Sequence, residues 1–251
     1  MAGLLIVDVQ ADFCAGGSLA VPHADAVVPA VNALRAAHAW AAVCVSQDWH
    51  PPGHVSFACS HAEGRPFSTV ALPGGGAQAL WPPHCVQHTP GAALHARLHT
   101  DARDVLIRKG TSPHVDAYSA FGDALGGPTP LRDALRARGV RHLFVCGLAL
   151  DVCVAASARD ARAAGFAVTL VLPACAGLAA GSVARELTRL RALGVRTLGA
   201  APAGADSAAA DSEGGLELAA LVAREVAEVL AAGPLAADGG NVTAVGPESR
   251  D

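Results

Sequence analysis

The sequence predicts a three-layer α/β/α fold on a six-stranded, mostly parallel sheet, and two observations carry that expectation. Short apolar runs bounded by turn residues recur at 4–8, 41–47, 105–109, 142–147, 166–172 and 195–198. They are continuously apolar rather than alternating, the pattern of strands covered on both faces. Between them lie Ala-, Leu- and Arg-rich segments with helical spacing, and alternating strand and helix is what a parallel sheet requires. Ligands of such sheets bind outside the carboxyl ends of the strands, so polar residues there are the ones to weigh.

The first run, LLIVD, ends in Asp8, and Val27, Val31 and Leu34 then mark a helix face. The second run leads straight into DWHPPGH at 48–54. Residues 49–103 lack periodicity and are rich in Pro, Gly and His; a loop that long inside a domain usually has a function. The third run ends in Lys109, and a helix over 131–138 opens at Thr129-Pro130 and stops at Gly139. A helix over 151–164, stopped by Gly165, follows the fourth run, and the last two runs complete the sheet. Residues 1–200 read as one domain. Residues 201–251 read as an Ala/Gly-rich extension with one amphipathic helix near 216–232, its apolar positions Leu218, Leu221, Val222, Val226, Val229 and Leu230.

The chain has 251 residues, 52% apolar and 16% charged, enough to bury a sizeable core. A net charge of -4 with no long basic run leaves no footprint for nucleic acid or an anionic membrane, so the expected partner is a small molecule. The start shows no basic leader and no run spans a bilayer, which makes the cytoplasm the expected compartment. Seven cysteines without CxxC spacing read as reduced thiols, most of them buried. A homo-oligomer is left open.

Cys153 follows the fourth run near the start of the 151–164 helix, where unpaired N–H groups and the helix dipole favour a thiolate. From position alone it reads rather as a core thiol on an apolar helix face. Lys109 ends a strand expected to be buried and either needs an anionic partner or turns with Arg108 into solvent; Asp8 has the same problem with the opposite sign, or else caps a loop. Together the three make a set of general base, charge stabiliser and nucleophile. Asp48, His50 and His84 offer a carboxylate and two imidazoles, a set that suits one divalent transition metal, zinc foremost, with iron or manganese as alternatives. His54 is a further candidate ligand, and a purely structural polar loop remains the alternative.

In order, LLIVDVQADFC, SQDWHPPGHVSFA, LWPPHCVQHTPGA, IRKGTSPHVDAYSAF and VCGLALDVCVAASARDA resemble the nicotinamidase branch of the isochorismatase-like cysteine hydrolases, over residues 4 to about 200. The resemblance implies that Asp8, Lys109 and Cys153 are a catalytic triad and that Asp48, His50 and His84, with His54 as a variable fourth, hold the metal. It implies that Phe13 and Trp81 sandwich the substrate ring, with Leu148 beside it. It also implies a cis Leu148–Ala149 bond, with the Ala149 and Cys153 amides as an oxyanion hole. Leu150 stands where many members have Thr, and Val152 where some have a polar residue, so this turn is more apolar than the family's usual one.

The activity so implied is hydrolysis of nicotinamide to nicotinate and ammonia through a thioester, in NAD salvage. Lys109 and the helix N-terminus are expected to depress the pKa of Cys153 while Asp8 takes its proton. The alternatives are a related amidohydrolase acting on another small amide or ureido substrate, a metallohydrolase with Cys153 in the core, and a non-catalytic binding module.

Overall fold

In the computed structural model the elements run, in chain order, β1 (Ala2–Val7), α1 (Ala24–Ala36), β2 (Ala42–Asp48), β3 (Thr69–Ala71), β4 (Ala77–Ala79), β5 (Val105–Lys109), α2 (Leu131–Ala137), β6 (His142–Gly147), α3 (Ala155–Ala163), β7 (Ala167–Cys175), α4 (Ala180–Ala192) and β8 (Arg196–Leu198). The structure describes residues 1–72, 75–199 and, within 220–231, residues 220, 221, 223, 224, 226–228 and 231.

β1 lies inside the sheet because AGLLIV has no polar face: every residue is buried, as a strand covered on both sides demands. It pairs in parallel with β2 on one side and β6 on the other. β5 adds beyond β2, β7 beyond β6 and β8 beyond β7, all parallel, giving the order β5-β2-β1-β6-β7-β8. The six expected strands are all present, their bounds moved by three residues or fewer. The chain lays down β1, β2 and β5 toward one edge, then returns to the other side of β1 with β6. That reversal leaves a crevice at the carboxyl ends of β1 and β6, where α/β sheets bind ligands.

Two features depart from the sequence reading. The helix expected from residue 151 begins as a π-helical turn, Leu150–Val154, before α3 starts. The 49–103 excursion contains a small antiparallel hairpin, β3–β4, too short for its pattern to register in the sequence. Gly147 shows why the sheet closes tightly at the crevice. It has φ +115, and a Cβ there would stand 2.1 Å from the Val7 carbonyl oxygen, so only glycine fits against β1.

Within 220–231 the described residues have helical backbone, and Val226 is buried with the core. The remaining positions of the expected 216–232 helix lie outside the described residues. Among the described residues, no helix is long and apolar enough to cross a membrane.

Candidate active site

Asp8 is the first residue past β1 and adopts φ +49, a left-handed turn that a short polar side chain tolerates. Its Oδ1 accepts a hydrogen bond from Ser46 Oγ at 2.6 Å, and Oδ2 lies 2.8 Å from Lys109 Nζ. Lys109 closes β5 with its side chain fully buried. Its ammonium donates to Asp48 Oδ1 at 2.6 Å and the Ala117 carbonyl at 3.0 Å, and lies 3.4 Å from Cys153 Sγ. The three ammonium protons are thus aimed at Asp48, Ala117 and the Cys153 sulfur. Asp8 Oδ2, though close, receives no aligned hydrogen bond and keeps an open lone pair in the core.

Protonation follows from this arrangement. Burial alone would discharge Lys109, but Asp48 and Asp8 outweigh it and hold its pKa well above the ordinary lysine value. Burial raises Asp8, and Lys109 only partly opposes that. Burial would raise Asp48 too, but Lys109 and His50 hold its carboxyl far below the usual range. The expectation of a depressed Cys153 does not hold. Burial pushes the thiol well above its usual value, and the pull of Lys109 is too small to reverse that, because Asp8 and Asp48 partly cancel the lysine's charge. The resting group is a thiol facing a carboxylate with an open lone pair.

Asp48 also faces the other way. Its Oδ2 lies 3.4 Å from His50 Nε2 and 3.8 Å from His84 Nε2. The far nitrogens are tied down: His50 Nδ1 donates to the Gly110 carbonyl at 2.9 Å and His84 Nδ1 to the Pro82 carbonyl at 2.8 Å. A carbonyl only accepts, so each neutral ring carries its proton on Nδ1 and turns the Nε2 lone pair toward Asp48. Burial works against charge on His50, yet Asp48 outweighs it and raises that ring's pKa, so the site attracts positive charge. Three buried O and N donors converging in this way fit a divalent transition metal with positions left open.

His54 falls elsewhere. It stacks on His50 with ring centroids 4.1 Å apart, its Nδ1 lies 2.7 Å from Ser56 Oγ, and it groups with His50 and Asp116 rather than around Asp48 Oδ2. Burial and the neighbouring His50 push it down to about 4, so it is a neutral ring backing His50. Leu148, expected beside the substrate, does not line the cavity. Its N–H is bonded to the Val7 carbonyl at 2.8 Å and its side chain is fully buried in the core.

A cavity opens over these groups. Phe13 and Trp81 line it, as do Leu19, Val21, Val152 and Leu178, with Asp48, His50, His84, Ala149 and Cys153 at its polar end. The Leu148–Ala149 bond is cis. Among the described residues the Ala149 N–H meets no backbone acceptor. Asp116 and Tyr118 also line the cavity and were not singled out from the sequence. Their signal was their place: polar residues a few positions beyond the carboxyl end of β5, inside a quoted motif. Burial, with Asp116 beside it, raises the Tyr118 phenol above its ordinary value.

Sheet order and crevice define an α/β protein whose buried thiol, amine and carboxylate meet at the switch point beside a candidate metal cage. The chain belongs to the isochorismatase family: an isochorismatase domain matches residues 2–202. It is 44% identical to an Escherichia coli K12 nicotinamidase over 181 residues, 70% of this chain and 83% of that one. An Acinetobacter baumanii nicotinamidase/pyrazinamidase structure matches with a TM-score of 0.74 and 39% identity, covering 78% of this chain and 94% of that one. A Pyrococcus horikoshii pyrazinamidase solved in complex with zinc matches with a TM-score of 0.64 and 34% identity, covering 78% and 98%.

Proposed function

We propose that the chain hydrolyses nicotinamide to nicotinate and ammonia, with Asp8, Lys109 and Cys153 as its reacting groups. One observation carries the reading: Cys153 Sγ and Asp8 Oδ2 both lie against Lys109 Nζ, beside a cavity whose polar end also holds Asp48, His50 and His84. The relatives' names support the substrate class, and the zinc complex of the pyrazinamidase supports a divalent metal.

Amide resonance makes direct attack by water slow, and a sulfur nucleophile divides the reaction into two easier halves. As the bond from Cys153 Sγ to the amide carbon forms, Asp8 Oδ2, ion-paired with Lys109 at 2.8 Å, takes the thiol proton. Asp8 then gives this proton to the departing nitrogen, the C–N bond breaks, and ammonia leaves a thioester. Water attacks the thioester, Asp8 accepts its proton, and the C–S bond breaks with return of that proton to sulfur. Lys109 keeps the two nearby carboxylates from repelling each other. The Ala149 and Cys153 amides hold the oxyanion, a role whose loss typically costs about 10² to 10³ in rate. Phe13 and Trp81 flank the ring. Asp48, His50 and His84 would hold the metal, zinc foremost, which supplies a Lewis-acid anchor for the pyridine nitrogen. The same reading keeps the cytoplasm as the compartment.

The test compares nicotinamide with benzamide in an ammonia-release assay, with and without chelator, beside a Cys153→Ala control. Expected are a strong preference for nicotinamide that chelation removes, and no turnover by the alanine variant. Turnover that survives loss of the thiol would exclude the thioester route.

A further inference from the structure

Beyond the reacting groups, a short segment after β5 connects both sides of the site. Lys109 Nζ donates to the Ala117 carbonyl, and the Ala117 N–H in turn donates to Asp116 Oδ1 at 2.8 Å. One residue on, the Tyr118 hydroxyl accepts the Trp81 indole N–H at 3.3 Å. The segment therefore touches the lysine of the reacting set and one aromatic wall within three consecutive residues.

What fixes this segment comes from outside the sheet. Gln78, in β4 of the hairpin, donates from Nε2 to Asp116 Oδ2 at 2.7 Å, and the same nitrogen lies 3.5 Å from the Tyr118 hydroxyl. Its second N–H goes to the Ala79 carbonyl at 2.8 Å, so the amide cannot turn over without setting oxygen against oxygen. Asp116 is buried, with Oδ1 and Oδ2 each accepting an N–H. Gln78 is buried too, but does not line the cavity. Trp81 is braced by its backbone, its N–H donating to the Ser56 carbonyl and its own carbonyl accepting from Ala58, both at 2.8 Å. The indole tip has Tyr118 alone as its hydrogen-bond partner among the described residues.

Resting on the proposed amide hydrolysis, we propose that Gln78 and Asp116 are positioning residues: the β3–β4 hairpin acts through them on Tyr118 and Trp81, setting how tightly the substrate ring is held. The hairpin is thus a specificity element, although it contributes no reacting group. Loss of the Gln78 amide frees an Asp116 oxygen in the core and lets the 116–118 segment shift. The indole then loses its orientation, while Asp8 and Cys153 keep their places.

The test is a double-mutant cycle on Gln78→Met and Tyr118→Phe, reading KM and kcat for nicotinamide, with circular dichroism and melting temperature as fold controls. Each single variant is expected to raise KM about tenfold with kcat within about threefold, and the double variant to be no worse than the weaker single. Gln78→Glu, which sets a carboxylate against Asp116, should raise KM more than Gln78→Met. Independent, multiplying effects on KM in the double variant would overturn the proposal. So would a folded Gln78→Met protein with unchanged KM, or a loss confined to kcat. A wild-type chain that released no ammonia from nicotinamide would instead sink the underlying reading, and direct nicotinate binding, followed by calorimetry on the same variants, would still test the latch.

Discussion

An ammonium as deeply buried as that of Lys109 is untenable alone, and two carboxylates at 2.8 and 2.6 Å make it tenable. The same pairing divides labour between the acids. Asp48 is held ionised for the cage, whereas Asp8 is raised by burial and keeps a lone pair free. Asp8→Asn preserves size and the Ser46 contact but cannot carry the proton, so kcat should fall by about 10² to 10⁴ with a smaller change in KM. Steady-state kinetics on the folded variant check this; a change in KM alone would remove Asp8 from the chemistry. Gly110 supports the cage in a different way. It has φ +62, and a Cβ would stand 2.3 Å from His50 Cε1, against the ring whose Nδ1 its own carbonyl orients. Gly110→Ala should therefore lower bound metal at least about tenfold, as expected when the group orienting a ligand is disturbed. Metal analysis of the purified variant measures it independently of turnover.

Cross-capping is the lesson at the scale of elements. α4 has no side-chain cap of its own, since Ala179 occupies that place. Asp151, two residues before Cys153, fills the role from the neighbouring turn: it accepts the Leu178 N–H at 2.9 Å and the Ala179 N–H at 3.3 Å, and also takes the Ser182 hydroxyl. Asp151→Ala should cost about 1–2 kcal/mol, lowering the melting temperature by about 2–8 °C. β6 carries a pH response. His142 packs flat on Phe144 with Nε2 at 2.9 Å from Thr169 Oγ1, and burial, aided by Arg196, pushes it down to about 4. The unfolded chain binds this proton near pH 6.5 and the folded chain only near 4, so between these values unfolding takes up a proton. Stability from this group is complete above about pH 6.5 and is lost as pH falls toward 4. Urea midpoints of wild type and His142→Leu across that window should converge on acidification, and parallel curves would show that His142 is not the source. Strands were legible because a buried parallel strand has one signature, a bounded apolar run. α4 and the hairpin were not. α4 is amphipathic but starts on Ala179 without a capping residue, and β3 and β4 have three residues each, below the length at which alternation can be told from chance.

Over the whole molecule, the site exists because the strand order reverses beside β1: Val7 pairs with Gly147, and Asp48 with Lys109, so residues separated by most of the chain leave the sheet at one level. Asp8, Asp48, His50, Lys109 and Cys153 were visible in the sequence as polar groups at or just past strand ends, and His84 as a further imidazole in the loop-rich 49–103 excursion. What the sequence could not provide was balance between charges in space. It gave no sign that Lys109 is shared by Asp8 and Asp48, which is why Cys153 read as a thiolate. That sharing has a consequence for stability. Three donors drawn from β2, the loop after it and the segment before Cys85 converge only in the folded chain, so a cation bound there favours folding by mass action. At a hundredfold excess over its dissociation constant the gain is about 2.7 kcal/mol, or about 5–11 °C in melting temperature for a chain of this size. Adding zinc or manganese to chelator-treated protein should raise the melting temperature in that range for wild type and for Cys153→Ala, and leave His84→Ala unmoved. Equal shifts in wild type and His84→Ala would mean that the cation binds elsewhere on the molecule.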